Sequence, residues 1–123
     1  MKIEVSNGEL IDKLSILEIK AKKISSPDQL RNIHKELKVV QQSASGILPI
    51  CKSQYNRLKE INEKLWEIED RIRDMERSEN FDNEFIQTAR EVYHNNDTRA
   101  AIKKEINQIT ESDLSEEKSY QNY

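Results

Sequence analysis

One Glu-x-x-His step, formed by Glu91 and His94, has the residue types and the spacing of a metal site. Di-metal carboxylate bundles use two such Glu-x-x-His steps, projecting inward, together with two further glutamates. On a helical wheel that starts at Phe85, the apolar residues of this segment centre near about 45°, whereas Glu91 lies near about 240° and His94 near about 180°. The step faces away from the predicted core, and the other histidine, His34, has no glutamate at a matching position. We therefore predict a solvated helix surface, with no metal and no cofactor.

The residues after His94 predict a corner between two helices, and this corner can also bind an anion. Asparagine tolerates the left-handed conformation that ends a helix, and Asn96 or Asp97 can cap the next one. Arg99 and Lys103 are four residues apart and form a cationic ridge beside an apolar stripe. Two interpretations stay open. Either every cation is matched by a carboxylate in a structural seam, or an unmatched cation binds an anionic ligand.

A second charged ridge lies on the long predicted third helix, beside its apolar stripe. Its members follow one another at spacings of four, three, four and three residues: Asn62, Trp66, Glu69, Arg73 and Glu76. A tryptophan outside the main stripe indicates that another element covers that side, and covered carboxylates need partners. We expect Glu69 to be structural, and Arg99 with Lys103 to face the ligand. The candidate ligand-binding residues are Glu69, Arg73, Glu76, Arg90, Asn96, Asp97, Arg99 and Lys103.

The elements that must position these residues are all helices. Ser6 and Glu9 form a capping box, Pro27 stands at a first helical position, and Asp82 caps a later helix. Apolar residues recur at spacings of three and four, which predicts an all-α fold. We predict a single domain over residues 1–123, an antiparallel bundle with a short extended N-terminal arm and an ordered C-terminal tail at 111–123. Its five helices cover about 7–24, 27–44, 49–78, 83–94 and 98–110, and the third is the longest.

Helix 1 carries apolar residues on two sides. Ile16 and Ile19 lie away from its main stripe. A helix that is apolar on two sides is either central in a monomer or part of an oligomer interface. We predict that Ile16 and Ile19 form the interface of a homodimer.

Composition excludes several classes of protein. The net charge is −3 and charged residues make up 35% of the chain, which argues against nucleic acid as a partner. Cys51 is the single cysteine, so no intramolecular disulfide forms and a reducing compartment is expected. The longest apolar stretch is too short to span a bilayer. We therefore expect a cytoplasmic protein that contacts neither nucleic acid nor membrane.

Four stretches of the sequence resemble an uncharacterised family of short all-helical bacterial and viral proteins. They are "VSNGELIDKLSILEIK", "LWEIEDRIRDME", "FIQTAREVYHNNDTRAAIKKEIN" and "EEKSYQNY". The resemblance leaves out helix 2 and the connection after it. It implies an all-helical fold and a genomic context near glycosyltransferase and surface-polysaccharide genes.

No stretch supplies a nucleophile with its base, a glycine-rich phosphate loop or a metal cluster, so whether the protein is an enzyme stays open. The first hypothesis is a binding or assembly module that acts as a homo-oligomer, with a possible protein partner. The alternative is a binder of, or an enzyme for, an anionic metabolite such as a sugar phosphate or a nucleotide-sugar, held in the charged pocket between helices.

Overall fold

A computed structural model describes residues 1–123 as four helices without any strand. The all-helical class predicted from the sequence is confirmed, and the number of helices is four rather than five. The helices are α1 (Asn7–Lys23), α2 (Pro27–Ala44), α3 (Lys52–Arg77) and α4 (Asn83–Ile109). Residues 1–6 and 111–123 contain neither helix nor strand.

The start of each predicted helix has a local cause. The side chain of Ser6 accepts a hydrogen bond from the backbone N–H of Glu9, and Asp82 accepts from Glu84 and Phe85. Each contact satisfies a donor that the first turn of a helix leaves free. α3 begins at Lys52, because residues 45–51 form turns that place Cys51 in the core.

The predicted corner at Asn96 and Asp97 does not exist, because α4 is continuous through it. The side chains that favour turns instead bond to the backbone one helical turn earlier. Asn95 donates to the carbonyl of Glu91 at 2.7 Å, and Thr98 donates to that of His94 at 3.3 Å. The packing of α4 against α1 and α3 thus overrides the weak helix propensity of this segment.

α3 and α4 form an antiparallel pair. Arg57 near the start of α3 binds Glu105 near the end of α4 at 3.1 Å, and Arg71 binds Glu91 at 2.7 Å. α1 contacts all three other helices, whereas α2 packs on α1 alone. Antiparallel packing is therefore seen for α3 and α4, and the predicted antiparallel arrangement of the whole set is not confirmed.

The core lies where α1 meets α3 and α4. Its fully buried side chains include Ile11 and Leu14 of α1, Leu58 of α3, and Ile102 and Ile106 of α4. Burial of side chains of this size supplies about 1.5–3 kcal/mol each. This packing fixes the first half of α1 against the second half of α4, and the polar cluster described next lies between them. None of the four helices combines the length and the apolar character that a bilayer-spanning segment needs.

Candidate functional site

The candidate site is organised by a buried carboxylate, Asp12 of α1, which is only 4% exposed. Arg99 of α4 approaches it side-on, with Nε at 3.0 Å from Oδ1 and Nη2 bonded to Oδ2. Lys103 Nζ lies 3.9 Å from the same Oδ2, and Asn62 of α3 donates to Oδ1 at 2.9 Å. Asp12 therefore joins three helices in one polar cluster.

The buried polar groups of this cluster all find their hydrogen-bond partners within the chain. Ser15 is fully buried, accepts a hydrogen bond from Asn62 at 2.7 Å, and donates to the carbonyl of Asp12 at 2.8 Å. No buried side-chain nitrogen or oxygen in the chain lacks a partner. Since an unpaired buried polar group is costly, this network explains how a charge can lie beside the core.

The start of α1 is fixed against the end of α4, one turn before Asp12. The backbone N–H of Gly8 donates to Asn107 Oδ1 at 2.6 Å, and that of Asn7 donates to Ser112 Oγ at 2.9 Å. A Cβ atom on Gly8 would lie 2.4 Å from the carbonyl oxygen of Lys103. Only glycine permits this approach, which in turn places Asp12 opposite Arg99.

After α4 the chain returns along the same helix. Glu116 binds Lys103 at 3.0 Å and Lys118 at 2.5 Å. Further on, the hydroxyl of Tyr123 contacts His94 Nδ1 at 3.2 Å and donates to Asp97. We call residues 112–123 the tail. The tail thus runs beside α4 from its end back to its middle.

A cleft of about 720 Å³ opens between α4 and the tail. Its volume is within the range of small-ligand pockets, roughly 300–1,000 Å³. The walls are polar, and its two tyrosines are largely exposed. The lining residues are Asn96, Asp97, Arg99, Ala100, Lys103, Lys118, Tyr120, Gln121, Asn122 and Tyr123.

Positive charge exceeds negative charge in the lining of this cleft, because it contains three cations and one acidic side chain, Asp97. Arg99, Lys103 and Lys118 face the carboxylates of Asp12 and Glu116. Hydrogen bonds from Lys118 and Lys103 lower the pKa of Glu116 to about 2. The hydrogen bond to Asp12 raises the pKa of Arg99 above its already high ordinary value. Glu116 and Arg99 are therefore both charged at neutral pH.

At the outer side of the cleft, the hydrogen bond to Asp97 raises the pKa of Tyr123 to about 12. The ring of Tyr123 also lies 5.2 Å from that of Tyr93 and 4.9 Å from that of His94. The outer end of the tail is thus held by an uncharged tyrosine.

The sequence matches a family of unknown function (DUF6165) over residues 1–123. The chain belongs to this family. The match confirms the predicted membership of an uncharacterised family and extends it to α2, which the resembling stretches leave out. No curated protein and no solved structure matches the chain.

Four of the predicted ligand-binding residues come together at the cleft: Asn96, Asp97, Arg99 and Lys103. Arg99 and Lys103 both line the cleft, and their role in binding a ligand stays a prediction. Arg99 is also tied to Asp12, so it combines a structural role with its position in the cleft. Asn96 also lies beside Arg99, with Oδ1 3.5 Å from Arg99 Nη1.

The other four predicted residues do not line this cleft, although Glu69 lies in a neighbouring groove with Asn96 and Arg99. Glu69 pairs with Arg73 at 2.8 Å, and both side chains are more than half exposed. Glu76 is exposed, and Arg90 bonds to Gln87 one turn away. The expectation that Glu69 is a covered structural carboxylate is wrong, since neither α4 nor α1 covers its side chain.

Sequence reasoning missed Asp12, although a signal for it exists. Asp12 lies four residues before Ile16 and seven before Ile19, so it shares the second apolar face of α1. A carboxylate on a face that is expected to be buried needs a cationic partner. The residues missed with it are Ser15 in the polar cluster, and Glu116, Lys118 and Tyr120 in the tail.

The second apolar face of α1 is largely covered inside the chain. Ile19 is 2% exposed, and Ile16 is half-buried in a groove with Trp66 and Val92. The apolar side chains that motivated the prediction of a dimer interface on this face are therefore covered by α3 and α4 of the same chain. The homodimer stays a prediction, and such a dimer would have to form through a different surface of the chain.

The Glu-x-x-His step lies on the surface, as the wheel predicts. Glu91 binds Arg71, and His94 contacts Tyr123. No group of three or more His, Cys, Asp or Glu side chains is close enough to hold a metal ion. The absence of a metal from the protein stays a prediction.

Proposed function

We propose that this protein binds a small anionic ligand in the cleft between α4 and the tail. The observation that carries the proposal is the convergence of three cations, Arg99, Lys103 and Lys118, on an open cleft whose lining contains one acidic side chain, Asp97. The excess of positive charge favours an anion there. Phosphate and carboxylate groups are the anions that guanidinium and ammonium groups bind best.

The donors of the cleft are arranged for such a ligand. Asp12 fixes the guanidinium of Arg99 by its Nε and Nη2 atoms, while Nη1 has only a long contact of 3.5 Å with Asn96. Each terminal nitrogen of arginine carries two hydrogens, so donors remain for a ligand. A cation that is already held in position loses little freedom when an anion binds it.

The outer part of the cleft indicates the rest of the ligand. Tyr120 and Tyr123 line the cleft and keep most of their surface exposed. Flat aromatic faces pack against sugar or base rings, so we propose a sugar phosphate or a nucleotide-sugar as the ligand class. The resemblance to proteins encoded near polysaccharide genes accords with this class. Such metabolites occur in the cytoplasm, where we also place the protein.

A thermal-shift panel tests the proposal. The probes are inorganic phosphate, glucose 1-phosphate and UDP-glucose, with glucose as the uncharged control. A ligand at a hundred times its dissociation constant adds about 2.7 kcal/mol to the free energy of unfolding. We expect the phosphorylated probes to raise Tm and glucose to leave it unchanged.

The matched variants are Lys118→Ala in the cleft and Lys38→Ala on α2, both with exposed lysines. Lys118→Ala is expected to weaken binding of the phosphorylated probes at least about fivefold while Tm of the free protein changes little. Lys38→Ala is the control for a general loss of positive charge. Equal affinities in the two variants would place the anion outside the cleft.

A second candidate function is self-assembly through the far end of the α3–α4 pair. This end is the connection from α3 to α4, residues 78–82, together with the first turn of α4. Phe81 and Ile86 at this end are 53% and 50% exposed. We propose this end as the surface through which a homodimer would form.

A further inference from the structure

One carboxylate of the tail already occupies the cationic groups of the cleft. Glu116 binds Lys103 at 3.0 Å through Oε2 and Lys118 at 2.5 Å through Oε1. Both oxygens are therefore used, in the way that a bound carboxylate or phosphate would use two of its own. Glu116 belongs to a segment without helix or strand, so no regular structure fixes it there.

The charge of the cleft depends on this one side chain. With Glu116 in place, the cations Arg99, Lys103 and Lys118 face two carboxylates, Glu116 and the buried Asp12. Without Glu116 their ion-pair partner would be Asp12 alone, and one negative charge would be removed from the cleft. Asp12 stays beside these cations, because it is buried on α1 and bonded to Asn62 of α3 and Arg99 of α4.

We propose that Glu116 is an internal ligand of the anion site, and that a phosphate group displaces it and releases the tail. The inference rests on the proposed function, because it assigns the regulation of that same cleft. A phosphate brings at least as much negative charge as the carboxylate and three oxygens that accept hydrogen bonds. It can therefore replace both contacts of Glu116 and also reach Arg99.

The strength of the internal contact makes the exchange possible. Lys118 and Glu116 are each more than a third exposed, and ion pairs of this kind are weak. The pair with Lys103, whose side chain is 15% exposed, is the less solvated of the two contacts. The apparent affinity of the site is its intrinsic affinity multiplied by the fraction of molecules in which Glu116 has left. The tail thus weakens phosphate binding without blocking it.

The experiment compares Glu116→Gln with Glu117→Gln in the full chain. The neighbouring Glu117 is exposed and forms no ion pair, so its variant controls for the loss of one negative charge. Isothermal titration with inorganic phosphate measures Kd for both variants and the wild type. We expect Glu116→Gln to tighten binding by about threefold to tenfold and Glu117→Gln to change it less than about twofold.

Nitrogen-15 relaxation of the backbone of residues 118–123 supplies a second measurement. Phosphate is expected to increase the mobility of these residues in the wild type, and Glu116→Gln is expected to increase it without phosphate. If the wild type binds phosphate and Glu116→Gln binds no tighter, the internal-ligand inference is wrong while the proposed function stands. If no form binds phosphate, the anion site itself is refuted and the inference with it. Binding by Glu116→Gln alone would support both, with the tail fully closed in the wild type.

Discussion

The guanidinium of Arg99 binds both carboxylate oxygens of Asp12, although the two residues are 87 positions apart in the chain. The pair joins the first helix to the last. It also fixes one side of the cleft, because the same guanidinium lines it. The stability of the fold and the geometry of the candidate site therefore both depend on the contact between Asp12 and Arg99.

Arg99→Ala is expected to lower the free energy of unfolding by about 2–4 kcal/mol, because it leaves the buried Asp12 without its main partner. The value is below that of a fully buried pair, since the Arg99 side chain is 29% exposed. Urea denaturation followed by circular dichroism measures it. The control is Arg73→Ala, which breaks an exposed pair with Glu69 and should cost no more than about 0.5 kcal/mol. Similar losses in both variants would contradict the structural role of Asp12.

The two glycines are expected to respond in opposite ways to alanine. Gly8→Ala places a methyl group 2.4 Å from the backbone oxygen of Lys103, and the forced separation of α1 from α4 should cost about 1–3 kcal/mol. Gly46 has no atom within 4 Å of the added carbon and has no positive φ. Gly46→Ala should therefore be neutral or stabilise the protein by up to about 1 kcal/mol. Thermal unfolding of the two variants measures these changes in stability. A Gly8→Ala variant as stable as the wild type would show that the backbone of Lys103 can move away from the added methyl group.

The tail should be docked only between an acidic and an alkaline limit. The folded-state pKa of Glu116, about 2, lies below the ordinary value of 4.5, so its contribution is complete above about pH 4.5 and is lost as the pH falls toward 2. The pKa of Tyr123 is raised to about 12, so its contact holds below about pH 10 and is lost as the pH rises through 12.

Chemical shifts of the tail amides across a pH titration measure both limits. Glu116→Gln should remove the contribution of Glu116 to the acidic limit and keep the alkaline one. An unchanged acidic limit in this variant would mean that another carboxylate holds the tail.

Self-association is tested at the far end of the α3–α4 pair. Phe81→Lys with Ile86→Lys should shift a dimer to monomer in sedimentation without loss of helicity, because both side chains are half exposed. Ile19→Lys should instead unfold the protein, since it places a charge at a buried position. A wild type that sediments as a monomer at tens of micromolar would end the dimer hypothesis.

Local signals predicted the beginnings of three of the four helices. Ser6 and Asp82 form the caps that their sequences indicate, and Pro27 lies in the first turn of α2. Such contacts join residues two or three positions apart, so the sequence contains all that is needed to expect them. The same reasoning failed at Asn96 and Asp97, where local preference indicates a turn but packing against α1 and α3 keeps α4 helical.

Part of the candidate site could also be predicted from local signals. Arg99 and Lys103 are recognisable, because their spacing of four places them on one face of a helix. Their partners come from distant parts of the chain, since Asp12 lies on α1 and Glu116 in the tail. Which carboxylate meets which cation depends on how the helices cross. Helix periodicity determines the face on which a residue lies, but not the angle at which two helices pack.

The contact between the start of α1 and the end of α4 has a consequence for biosynthesis. Gly8 bonds to Asn107 and Asn7 bonds to Ser112, about a hundred positions further on. During translation, the beginning of α1 therefore waits for partners that the ribosome adds about a hundred residues later. Until Arg99 leaves the exit tunnel, the charge of Asp12 has no guanidinium beside it. The nascent chain therefore cannot fix the start of α1 until Asn107 and Ser112 are available.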